Sequence, residues 1–136
     1  MIVVISCGNL KRKNTRCAAV NMYTGGYFKA MLDWARSVVS DDRIFILSAK
    51  YGLLSLYEPI TTYNVRMGQP GSVSIQTVKS QAMAYKIINE RAYLVCGQDY
   101  LGVLTKVFEN HVRVLPKVGM GYQTQLLKRN KGRLPK

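Results

Sequence analysis

The sequence predicts an α/β domain, a three-layer sandwich built around a four-stranded, mainly parallel sheet. Three observations carry this expectation. Residues 1–6 are almost wholly apolar and β-branched, as suits a central strand covered on both faces. Apolar runs of strand length then alternate with segments of helical period along the chain. The 136 residues are enough for one well-buried core and too few for two.

The elements follow in order. After the first strand comes a polar, basic loop. Thr24-Gly25-Gly26 then precedes Tyr27, Phe28, Met31, Leu32, Trp34 and Ala35, a spacing that marks an amphipathic helix with Thr24 as its N-cap. Asp41-Asp42 is a turn, and residues 43–47 form a second strand. Residues 48–72, punctuated by Gly52, Pro59, Gly68, Pro70 and Gly71, are expected to be irregular. Helical period returns over 73–90. Residues 92–96 are the third strand, 100–109 the third helix, 112–115 the fourth strand and 121–128 the last helix. A single domain over 1–127 is therefore expected, with a basic tail over 128–136. The tail, "KRNKGRLPK", has little apolar surface and should be mobile in the absence of nucleic acid. No internal repeat is present.

Charge narrows the function. Twenty Lys and Arg against seven Asp and Glu give a formal charge of +13 and an isoelectric point near 9.9. Such a bias points to a polyanionic partner. The cations also cluster: Lys11, Arg12, Lys13 and Arg16 in the first loop, and Lys128, Arg129, Lys131, Arg133 and Lys136 at the C-terminus. Nucleic acid, DNA in the first instance, is favoured over a membrane because no helix pairs a basic face with a large apolar one.

Other classes are disfavoured. No apolar run reaches the roughly 18 residues that span a bilayer. The first residues lack the basic start of a signal peptide, so the protein is expected in the cytoplasm. One histidine, His111, and three cysteines without a Cys-x-x-Cys pair argue against a metal site and a disulfide framework. No cofactor is expected. Cys96 reads as a small core residue and Cys17 as structural, whereas Cys7 ends a strand and faces the basic loop.

Parallel sheets bind ligands beyond the carboxyl ends of their strands. The segments there are Ser6-Cys7-Gly8-Asn9, Ser48-Ala49-Lys50-Tyr51-Gly52, Gly97-Gln98-Asp99-Tyr100 and Pro116-Lys117-Val118-Gly119. Ser6, Cys7, Asn9, Ser48, Gly52, Gln98, Lys117 and Gly119 are therefore candidate binding positions. The loop after the first strand is not Gly-x-x-x-x-Gly-Lys, which disfavours a nucleoside triphosphatase. Lys50 is placed for its ammonium to meet a phosphate or a departing base. Tyr51 and Tyr63 are candidates for stacking on a base, or for packing under the 48–72 stretch. Asp99 has two readings: a cap on the helix that follows, or a general base that activates water. Among the seven acids, Glu58 is the other candidate base.

"ISCGNLKRK", "MYTGGYF", "ILSAKYGLL" and "VLPKVGMGYQTQLL", in that order, resemble a little-characterised bacterial and phage family. It carries Ser-Cys-x-x-x-Lys after the first strand and Leu-Ser-Ala-Lys-Tyr-Gly-Leu after the second. The family resembles the peroxide-stress YaaA proteins and the uracil-DNA-glycosylase-like domain of archaeosine-synthesis enzymes. The resemblance implies a glycosylase-like α/β fold with four parallel strands. Uracil-DNA glycosylases keep Gly-Gln-Asp-Pro-Tyr, whose Asp orients or activates water. Gly97-Gln98-Asp99-Tyr100 is similar, but it lacks the Pro and follows the third strand rather than the first.

The function expected is a nucleic-acid-binding, glycosylase-like enzyme that hydrolyses an N-glycosidic bond in DNA after extruding the nucleotide. Asp99 and Lys50 would carry the chemistry, and the basic segments would track phosphates. A non-catalytic nucleic-acid-binding module and an enzyme for free nucleotides are the alternatives.

Overall fold

The computed structural model describes residues 1–135; Lys136, the end of the expected tail, lies outside the described residues. In chain order the elements are β1 (Ile2–Ser6), β2 (Arg16–Ala18), α1 (Ala19–Met22), α2 (Gly26–Val38), a 3-10 turn at Asp41–Arg43, β3 (Ile44–Ser48), β4 (Gly52–Ser55), β5 (Pro59–Thr61), α3 (Ile75–Ala84), β6 (Ala92–Val95), α4 (Gln98–Val107), β7 (His111–Arg113) and α5 (Met120–Arg129). No described helix is long and apolar enough to cross a membrane.

β1 occupies the centre of the main sheet, and all five of its residues are buried. It pairs in parallel with β3 on one side and β6 on the other. The sheet order is β4-β3-β1-β6-β7, with only β4 antiparallel to its neighbour. The sheet thus has five strands rather than the four expected, and it is mixed. The added strand, β4, comes from the stretch expected to be irregular, as does β5, which pairs with β2 in a separate antiparallel ribbon. Strands of three and four residues are too short to establish a period, and the Gly and Pro around them read as loop.

Alternation along the strands divides the core in two. Val3 and Ile5 pack with Ile44, Ile46, Tyr93 and Val95 against Phe28, Met31 and Trp34 of α2 and Leu127 of α5. Ile2 and Val4 pack with Phe45, Leu47, Ala92 and Leu94 against Val78 and Ala82 of α3 and Leu101 and Leu104 of α4. Helices thus cover both faces of the sheet.

Helix boundaries depart from the expected ones for local reasons. The N-cap of α2 is Gly25, not Thr24, whose backbone N–H instead donates to Leu10 O at 2.9 Å. α3 begins at Ile75, where Ser74 Oγ accepts from Thr77 N at 3.1 Å. It ends at Ala84, well before residue 90, because Lys86 takes a left-handed conformation (φ 60°) and Ile87 turns into the core. α5 runs through Arg129, and Asn130 O then accepts from Trp34 Nε1 at 3.0 Å. Gly132 N donates to Ser37 Oγ at 2.8 Å. Asn130 and Gly132 of the segment expected to be a mobile tail are thus tied to α2.

The free edge of β4 is covered by α3. Leu53 N donates to Gln81 Oε1 at 2.8 Å, Gln81 Nε2 donates to Tyr51 O at 2.8 Å, and Tyr85 Oη accepts from Ser55 N at 3.4 Å. Side chains thereby take the hydrogen bonds that another chain could otherwise form. The same contact demands glycine at position 52: its φ is +80°, and a Cβ there would lie 2.1 Å from Gln81 Oε1.

Two stability outcomes are expected. Gly52→Ala combines backbone strain with displacement of Gln81, and should lose ~2 kcal/mol or more, visible as a fall in Tm of roughly 8 °C. An unchanged Tm would show that the hairpin relaxes freely. Truncation after Arg129 removes the acceptor of Trp34 Nε1 and the Gly132 N–H bond to Ser37, and should lower Tm by about 4 °C or more; an unchanged thermal melt would mean those bonds add nothing to the folded state.

Candidate functional site

The connections leaving β1 and β6 diverge. From β1 the chain passes through α2 to β3 on one side; from β6 it passes through α4 to β7 on the other. Two adjacent parallel strands whose connections separate leave a crevice at their carboxyl ends. A cavity of about 650 Å³ lies there. Ser6, Cys7, Gly8, Asn9 and Leu10 line it from the end of β1, and Gly97, Gln98, Asp99 and Tyr100 from the end of β6. Gly25, Gly26, Tyr27 and Phe28 at the start of α2, Arg66 and Met67, and Met120 complete the wall.

Three helices begin at this cavity. The N-caps of α2, α4 and α5 are Gly25, Gly97 and Gly119, and none supplies a side-chain capping bond. Each start leaves backbone N–H groups without an intrahelical partner and a partial positive charge. Together they favour negative charge in the space between them. Asp99 is the only acid in the first turns of the three helices and the only acid of the cavity wall.

α4 starts two residues earlier than its spacing suggests, so the cap is Gly97 and Asp99 sits inside the first turn. The capping explanation for Asp99 is thereby removed. Its side chain is exposed and makes no hydrogen bond or ion pair with the other described residues. Two other acids are held in ion pairs, and Glu58, the other candidate base, is exposed and does not line the cavity. Asp41 is bound by Arg36, which holds its carboxyl below the usual range. Glu90 is bound by the N-terminal ammonium and by Arg43, and the ammonium chiefly lowers it.

Beside the cavity lies a cluster of hydroxyls. Cys7 Sγ and Tyr100 Oη are 3.1 Å apart. Ser48 Oγ donates to Tyr63 Oη at 2.9 Å, and the hydroxyls of Tyr63 and Tyr23 are 2.7 Å apart. Ser48 Oγ also accepts from Lys50 N and Tyr51 N, at 3.2 and 3.0 Å, which builds the turn between β3 and β4. Lys11 Nζ lies 4.6 Å from the centre of the Tyr63 ring. Burial pushes the phenols of Tyr23, Tyr63 and Tyr100 well above their ordinary range, and the nearby Cys7 adds to this. Desolvation lowers the Lys11 ammonium, with Cys7 opposing and Arg66 reinforcing the shift.

The remaining candidates are distributed in three places. Lys50, Tyr51 and Gly52 form the hairpin turn and do not line the cavity; Lys50 is exposed, 5.2 Å from the centre of the Tyr51 ring. Tyr51 meets Tyr63 edge-on at 5.6 Å and bonds Thr61 through its hydroxyl. Arg12 reaches Asn21 O at 2.7 Å, while Lys13, Lys117 and Gly119 are exposed. Lys128, Arg129, Lys131 and Arg133 are exposed at the other end of α5. Tyr27 Oη donates to Gln123 Oε1 at 2.6 Å near the helix starts, and Trp34 meets Asn130 near their ends. α2 and α5 therefore run side by side in one direction, and the length of α5 separates this basic group from the cavity by ~15 Å.

Tyr27, Phe28, Arg66, Met67 and Met120 line the cavity without having been candidates from the sequence. Gly25-Gly26 before Tyr27 was an available signal, since an uncapped helix start approaches ligands closely. Arg66 and Met67 had none, because they lie in the stretch read as loop.

Tyr27 and the Cys96 thiol are also pushed up by burial, each to about 12. These groups stay protonated in the fold but ionise near their ordinary values, about 9 to 10, once unfolded. Their contribution is therefore complete below that range and declines as pH rises through it. Denaturant midpoints should fall between pH 8 and pH 10.5, and Tyr63→Phe should reduce the fall; a flat profile would show that the phenols titrate freely.

No curated protein and no solved structure matches the chain. One family model does match, over residues 2–129, which takes in every strand, every helix and all of the cavity wall. On that match the chain belongs to DUF6884, a family of unknown function.

Proposed function

We propose that the protein binds nucleic acid and hydrolyses the N-glycosidic bond of one nucleotide held in the cavity at the ends of β1 and β6. The observation that carries this reading is Asp99, the sole carboxylate of a cavity wall that otherwise mixes apolar and aromatic side chains with neutral polar groups and one cation, Arg66. It has no partner among the described residues and stands among three helix starts that favour anions. Tyr27, with Leu10 at the rim, offers apolar surface to a base, while Asn9 and Gln98 offer amide donors and acceptors to its edge. The charge of +13 supplies the general attraction to phosphates.

In this scheme Asp99 takes a proton from a water molecule whose oxygen bonds to C1′. The C1′–N bond breaks, and its electron pair leaves on the base. Arg66 and the helix N–H groups stabilise that charge or an adjacent phosphate. Lys50, outside the cavity wall, would serve the strand beyond it. The resemblance to glycosylase-like and YaaA-like domains supports this at the level of fold alone, because one fold hosts many activities. The parallel core with helices on both faces agrees in outline with such a fold. Asp99 follows β6 rather than β1, so it would reach the water from a different strand.

The test is incubation with DNA and RNA carrying normal and modified bases, followed by detection of abasic sites. Base release is expected, and Asp99→Asn should slow it by roughly 10²-fold or more in single turnover with Tm unchanged. Release from no substrate would sink catalysis. Retained binding would then favour a non-catalytic module, and cleavage of free nucleotides alone a small-molecule enzyme.

A further inference from the structure

We infer that the nucleic acid docked over the cavity is single-stranded, its unpaired bases resting on an apolar rim. Leu10 and Met120 both line the cavity, from the loop after β1 and from the first turn of α5. They are 65% and 57% exposed. Val118 and Tyr122, 42% and 51% exposed, flank Met120 on the same segment. These large apolar side chains face water although the chain buries the great majority of its others.

Cations are interleaved with this surface. Lys11, Arg12 and Lys13 follow Leu10 directly, Lys117 precedes Val118, and Arg66 stands in the cavity wall. Charge complementarity therefore selects a polyanion as the occupant. The apolar component selects its form. A duplex hides the faces of its bases and presents phosphates and groove edges, for which cations alone suffice. A single strand exposes those faces, and they gain from contact with apolar and aromatic side chains between phosphate contacts. Single-strand docking rests on the cavity being a nucleotide site, as proposed above, but not on turnover.

The test is fluorescence anisotropy of the full chain with a labelled mixed-sequence single strand of about 20 nucleotides, the same sequence as a duplex, and inorganic polyphosphate as a base-free competitor. The single strand is expected to bind about tenfold or more tighter than the duplex. The double variant Leu10→Ser/Met120→Ser should lose that preference through weaker single-strand binding, with duplex affinity and Tm unmoved. Equal affinity for the two forms overturns single-strand docking and leaves nucleic-acid binding standing. So does a variant that keeps the preference, or displacement of the strand by polyphosphate as readily as by unlabelled strand. Absence of binding to any nucleic acid overturns both readings. If the variant does not fold, the comparison of strand with duplex on the unaltered chain decides alone.

Discussion

The architecture depends on the parallel pairing of β1 between β3 and β6. A strand with all five residues buried needs neighbours on both edges and helices on both faces, since its backbone groups cannot turn to water. Parallel neighbours require crossovers, and crossovers supply the helices. One connection leaves toward β3 and the other toward β7, so the cavity at their divergence follows from the same pairing that fills the core.

That pairing also sets the electrostatics. A helix that begins just after a parallel strand points its N-terminus at the carboxyl edge of the sheet. α4 does so directly after β6; α2 starts at the same cavity after β2 and α1 have intervened, and Gln123 holds α5 beside it by joining Tyr27 to Pro116 O. At the opposite edge, Glu90 gathers the N-terminus and Arg43. Three charges of that edge are thus joined in one cluster. The other edge keeps open helix starts, an uncommitted carboxylate and Arg66.

The basic residues do not form a single surface. Lys11, which reaches Asn9 O, and Arg66 adjoin the cavity, whereas Lys128, Arg129, Lys131 and Arg133 lie at the far end of the α2 and α5 pair. The C-terminal group also has a local role, because cations in the last turn of a helix complement its dipole. A polyanion that touched both groups would have to run along the length of these two helices.

The sequence by itself determined the class of fold and the order of its main elements. The unbroken apolar run of residues 2–6, the helical spacing from Tyr27 to Trp34 and the runs at 44–47 and 92–95 each have one compatible environment. It also determined that the carboxyl ends of the strands would carry the polar residues, and Ser6, Cys7, Asn9, Gln98 and Asp99 do meet in one cavity. Three things were decided only by tertiary structure. β4 became a strand because β3 supplies a partner and α3 covers its edge, neither of which is visible in four residues. Arg66, Met67 and Met120 reached the cavity through packing between elements distant in sequence. Asp99 was left free of capping because α4 starts at Gln98, a boundary set by Gly97 and by Leu101 N bonding to Gly97 O. Local pattern records which face of a residue must be buried; which other residues bury it, and what they bring with them, is settled only when the chain closes on itself.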